Sequence, residues 1–119
     1  MKIMKKQQCG HMKQKLDEVM ATVQRAMKEN PEQAKAFMDF VGKAEAKGAL
    51  EVKTKELISV ALSIAEHCEG CIAFHVKNAI EAGATREEIM EASFVAVAMG
   101  GGPSLVYMKL VMDAVDEFS

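Results

Sequence analysis

The amino-acid sequence predicts an all-α, single-domain protein of about six helices. Apolar residues recur at helical spacing along nearly the whole chain, no segment alternates with a period of two, and β-branched residues stand singly. Ala and Met are abundant (10 Met), Trp is absent and aromatics make up 5%. Small and unbranched side chains favour close helix packing over sheet. At 119 residues the chain holds one domain, since two halves would each be too small to bury a useful core.

The elements follow in order. A first helix is expected over 12–29, with Leu16, Val19, Met20, Val23 and Met27 on one stripe. Asn30-Pro31 stops it, and Pro31 opens a second helix to about Lys47, because a first-turn residue needs no free N–H. Phe37, Phe40, Val41 and Ala44 are expected to face inward. A third helix over 51–66 is apolar on more than one stripe (Leu57, Ile58, Ala61, Leu62, Ile64), so it is expected to be buried on most sides. Cys68-Glu69-Gly70-Cys71 interrupts it, and a fourth helix runs to about Ala82 before Gly83. Thr85 with Glu88 has capping-box spacing and starts a fifth helix with Ile89, Phe94 and Val97 inward. Gly100-Gly101-Gly102-Pro103 breaks the chain again, ahead of a sixth helix from Ser104 to Phe118. That glycine run lacks the Lys-Ser/Thr ending of a phosphate loop and follows no strand, so it reads as a helix-to-helix turn.

Charge is uneven. Lys2, Lys5, Lys6, Lys13 and Lys15 fall in a stretch without an acid, leaving the rest more acidic than the net −2 suggests. An acidic body argues against nucleic-acid binding, which needs cations set against phosphates. Residues 1–11 read as a flexible basic tail and 12–119 as the helical domain. No apolar run approaches the roughly 20 residues a membrane span requires, and none follows the basic start as in a signal peptide. A cytoplasmic protein is expected, in whose reducing compartment a C-x-x-C signals redox or metal chemistry before a structural staple.

The chemistry concentrates in Glu66-His67-Cys68-Glu69-Gly70-Cys71-Ile72-Ala73-Phe74-His75. Cys68 and Cys71 are one helical turn apart at a helix-helix junction, close enough to form a disulfide after modest adjustment. With Cys71 in the first turn of the fourth helix, free amides and the helix dipole favour its thiolate. His75, four residues on, shares its face and can take or hold the thiol proton. His67 is a possible relay member. Two other readings use the same residues: thiols packed as small hydrophobes, or a zinc site of Cys68, Cys71 and His75 completed by His67 or Glu56.

The pattern resembles the alkylhydroperoxidase AhpD-like family, within the carboxymuconolactone decarboxylase superfamily. There a Glu lies twelve residues before a C-x-x-C and a His four after its second Cys, matched here by Glu56, Cys68, Cys71 and His75. The resemblance spans roughly residues 30–115. It implies a dithiol-disulfide cycle in which a Glu56/His75 proton relay activates Cys71 against a hydroperoxide and Cys68 resolves the product. It further implies a thioredoxin-like or lipoyl-bearing electron donor and a trimer or hexamer, with no bound cofactor. Decarboxylases of the superfamily generally lack the C-x-x-C, so a lactone-processing activity is the lesser alternative, as is a zinc-binding or non-catalytic helical protein. One geometric demand stands out: Glu56 is about 18 Å along a straight helix from Cys68. A plain hairpin does not bring it beside His75, so the relay requires a kink, an offset between packed helices, or a second subunit.

Overall fold

Local chemistry at each helix end sets the element boundaries. The computed structural model describes the backbone of residues 2–119 and the side chains from Gly10 onward. The helices are α1 (Lys2–Glu29), α2 (Pro31–Glu45), α3 (Val52–Ala65), α4 (Glu69–Glu81), α5 (Arg86–Gly100) and α6 (Gly102–Phe118), with no strand among the described residues. Pro31 opens α2, and the Thr85–Glu88 capping box forms as the spacing predicts. Gly101 adopts φ 70 and ψ −147, a region essentially reserved for glycine. A Cβ on Gly100 would collide with the Ser104 hydroxyl.

Helix α1 is helical from Lys2 rather than from 12. The Glu117 carboxylate on α6 accepts the backbone N–H groups of Met12 (3.2 Å) and Lys13 (2.9 Å), the way an acid caps a helix start. Met12 is also the first described side chain of α1 to be fully buried. The side chains of residues 1–9, including Cys9 and three of the lysines assigned to a basic tail, lie outside the described residues.

The core sits between α3, α4, α5 and α6. Val60, Ile64, Ile72, Val76, Ile89, Met108 and Val111 are fully or almost fully buried there, and Met12 closes one end. Helix α3 packs most extensively on α4 and α5, and α4 also on α6 and α1. The central α3–α4 pair carries Glu56, both cysteines and His75.

Three burial expectations are corrected. Helix α2 has no buried residue, and Phe37 and Phe40 are 64% and 67% exposed. The helix leans on α1 and touches α3 only lightly, so its aromatic stripe points away from the domain. Helix α3 is not covered on most sides, because Ile58 and Leu62 are exposed, as is Phe94 of α5. Among the described residues no helix is long and apolar enough to cross a membrane.

Candidate active site

The α3–α4 junction is built from residues 63–71. The His67 N–H bonds to the Ile64 carbonyl (3.0 Å) and the Cys68 N–H to the Ser63 carbonyl (3.1 Å), which together make a Schellman turn. Glycine usually fills the left-handed position of that turn; here it is His67, at φ 54, a conformation costing an L-residue about 1–2 kcal/mol. The His67 ring stacks on Tyr107, with centroids 4.6 Å apart and planes inclined by 20°. Cys68 is then the N-cap of α4, and its sulfur accepts the Cys71 N–H at 3.2 Å.

The Cys68 and Cys71 sulfurs lie at disulfide distance, with Cα atoms 5.2 Å apart. Cys68 caps α4 and Cys71 lies in its first turn, where unpaired amides and the helix dipole favour negative charge. The direct amide contact falls on Cys68 rather than on Cys71, where the dipole effect was expected. Gly70 between them is a point of close approach. A Cβ there would stand 2.7 Å from Cγ2 of Val19, so α1 lies hard against the cysteine loop. His11 of α1 meets Glu69 on the same side, at 3.1 Å.

Glu56 and His75 come together within one chain. Glu56 Oε1 lies 2.8 Å from His75 Nδ1, and their side chains are only 7% and 19% exposed. Since α3 and α4 both run unbroken, an offset in their packing supplies the approach and no second subunit is required. An ionised carboxylate can only accept, so in this contact Nδ1 donates the hydrogen and Nε2 is left facing away from Glu56. His75 stands one turn beyond Cys71 on the same helix face.

A second acid joins this pair. A carboxylate oxygen of Glu45, an oxygen of Glu56 and a ring nitrogen of His75 lie within 4.8 Å of one another. The Ser59 hydroxyl donates to Glu45 Oε1 at 3.0 Å. The sequence reading missed Glu45 because the contact bridges α2 and α3 across an irregular link. One signal was available: Glu45 is the last residue of α2, where the helix dipole disfavours an acid. Lys55 offsets that end by donating to the Ala44 carbonyl at 2.9 Å and to that of Ala46.

His67 is placed apart from the Glu56–His75 pair, with its ring on Tyr107. It borders two grooves. One, of about 500 Å³, includes Lys15, Glu18, Thr22 and Glu69. The other, of about 460 Å³, is apolar and includes Leu62, Val95, Met99, Pro103 and Ser104. Ser104, which lines the second groove, is almost fully buried.

Comparison with known proteins agrees with this architecture. The model of the carboxymuconolactone decarboxylase family matches residues 31–114. The chain belongs to the carboxymuconolactone decarboxylase family. Within it, an uncharacterized protein encoded in the cox locus of Paracoccus denitrificans is 40% identical over 82 residues, 69% of this chain and 74% of that protein. An uncharacterized protein of Cupriavidus necator is 38% identical over 77 residues, 65% of this chain and 68% of that one. The apo crystal structure of a carboxymuconolactone decarboxylase family protein from Legionella pneumophila is 40% identical and superposes with a TM-score of 0.89, covering 92% of this chain and 98% of that chain. A family member from Thermotoga maritima, for which a role in antioxidative response has been suggested, is 27% identical with a TM-score of 0.78, over 87% and 88% of the two chains.

Proposed function

We propose that this carboxymuconolactone decarboxylase family protein is a thiol-based antioxidant oxidoreductase that reduces a hydroperoxide or a partner-protein disulfide through Cys68 and Cys71. The observation carrying the reading is the buried Glu56–His75 hydrogen bond of 2.8 Å, one helical turn from a cysteine pair at disulfide distance. Glu56 holds His75 Nδ1–H, and Nε2 takes the proton from the Cys71 thiol. The Cys71 thiolate attacks one peroxide oxygen, the O–O bond breaks, and the proton passes to the departing alkoxide, giving Cys71 sulfenic acid and an alcohol. The Cys68 thiol then displaces water from that sulfur and forms the disulfide.

Two electrons from a thioredoxin-like or lipoyl-bearing protein restore both thiols. When the donor attacks Cys71, Cys68 departs as a thiolate at the N-cap of α4. The Cys71 N–H beside it stabilises that charge. The suggested antioxidative role of the Thermotoga relative supports the same chemistry. The cycle belongs in the cytoplasm, where thiols are kept reduced.

The protein is further proposed to assemble as a homo-oligomer, a trimer or hexamer. Leu62, Val95, Met99 and Val106 are 58% or more exposed. The chain's accessible surface of 7874 Å² exceeds the about 6,300 Å² expected of a monomer this size.

The test is intact mass and free-thiol count on metal-free protein, before and after one equivalent of cumene hydroperoxide. Loss of two hydrogens with a Cys68–Cys71 disulfide, abolished in Cys71→Ser and reversed by a dithiol, supports the reading. Thiols left untouched by peroxide overturn the peroxidase assignment, and thiols untouched by a protein disulfide as well overturn the whole reading. Lactone decarboxylation, by contrast, would survive loss of both cysteines.

A further inference from the structure

The thiol cycle employs Glu56 and His75 but leaves Glu45 without a task. We infer that Glu45, Glu56 and His75 form a divalent-cation site of the borderline transition-metal class, distinct from any site using the cysteines. One donor atom from each lies within 4.8 Å of the others. Two carboxylates and one imidazole make an O₂N set that suits Mn²⁺, Fe²⁺ or Zn²⁺ and leaves coordination positions open. The 2.8 Å between Glu56 Oε1 and His75 Nδ1 fits two neighbouring ligands on one ion, given bonds of about 2.0–2.2 Å to each.

A second observation points to a missing positive partner. Ser59 occupies Glu45 Oε1, while Oε2 is buried and, among the described residues, has no hydrogen-bond partner. A buried carboxylate oxygen without a donor is costly. A cation held between Glu45 and the deeply buried Glu56 removes that cost and cancels both charges. Ser59 then serves as the outer group that orients a ligand. The ion takes the place of the hydrogen shared by Glu56 and His75, so metal occupancy and the proposed proton relay exclude each other.

The probe is Mn²⁺ alone, titrated into the oxidised, disulfide form so that no thiolate can ligate, and followed by loss of the free Mn²⁺ electron paramagnetic resonance signal. Wild-type protein is expected to bind one Mn²⁺ per chain saturably. Glu45→Gln should weaken binding at least about tenfold and Ser59→Ala about tenfold, with unchanged circular dichroism. If Glu45→Gln alters the helical signal, Ser59→Ala decides. Saturable binding lost in these variants supports the site. Binding that never saturates, or that is equal in wild type and variants, overturns it. Because the readout uses oxidised protein without peroxide, it stands or falls separately from the thiol cycle.

Discussion

The two ends of helix α4 carry the same turn made from different residues. At the α3–α4 junction the His67 and Cys68 amides bond to the Ile64 and Ser63 carbonyls; at the α4–α5 junction those of Gly83 and Ala84 bond to Ile80 and Ala79. The left-handed residue is His67 (φ 54) in the first and Gly83 (φ 94) in the second. The next helix is capped by the Cys68 sulfur in one case and by a complete Thr85–Glu88 box in the other. The second junction uses the residues that stabilise such a turn best. The first places an imidazole and a thiol in those positions. The difference teaches that residues suited to chemistry occupy one turn at the expense of stability, while its twin keeps the standard choices.

The comparison is tested most severely by activity. Glu56→Gln, which removes the acid holding the histidine beyond the first junction, should lower peroxide-dependent thiol oxidation by roughly a hundredfold, whereas Thr85→Ala at the α4–α5 junction should lower stability and leave the rate alone. Stopped-flow thiol kinetics beside denaturant melts check this, and equal rate losses would break the contrast.

Next in size, Gly83→His should destabilise by about 1–2 kcal/mol, the cost of the left-handed region to a side chain with no partner ring. His67→Gly should raise stability by about 1 kcal/mol at most, offset by the lost Tyr107 stack worth about 0.5–1.5 kcal/mol. In a Tyr107→Leu background the gain should appear whole. Chemical denaturation of the four proteins measures it, and a large loss in the double variant would mean that the imidazole supports the turn in another way.

The smallest effect is electrostatic. The Thr85 backbone N–H (2.8 Å) and then the Lys53 ammonium (3.0 Å) hold the Glu88 carboxyl below its ordinary value. A lowered folded value means that Glu88 stabilises fully above the ordinary carboxylate range. That contribution is lost as pH falls through the folded value. Wild type and Glu88→Gln should therefore differ slightly at neutral pH and converge in acid, as thermal melts across pH 2–7 would show within about that window.

Much of this arrangement was legible beforehand because it is local. Pro31, the Thr85–Glu88 spacing and the glycine run mark helix ends through contacts only a few residues apart. The His75 position follows from one helical turn after Cys71. What was hidden depends on partners distant in sequence. Phe37 and Phe40 have the period of a core stripe, but period reports that a face is apolar, not that another helix covers it. Glu56 reaches His75 through a packing offset that spacing along two helices does not encode. Glu45 enters the group from α2 across the link to α3, and only its misplacement against the helix dipole hinted at a purpose. His67 resembles an ordinary polar residue before a cysteine until its backbone is seen to occupy the place of a glycine.

The close approach of Val19 to Gly70 has a consequence for the dipeptide between the cysteines. Those two positions are the usual place to adjust a C-x-x-C by substitution, yet here they are unequal. Among the described residues Glu69 meets His11 at a partly exposed contact, so many side chains can stand there. Gly70 has no room for even a methyl group while Val19 keeps its place. A library randomised at both positions and selected for folded protein would return a broad alphabet at the first and glycine alone at the second. Diversity would return at the second only when position 19 is allowed to shrink.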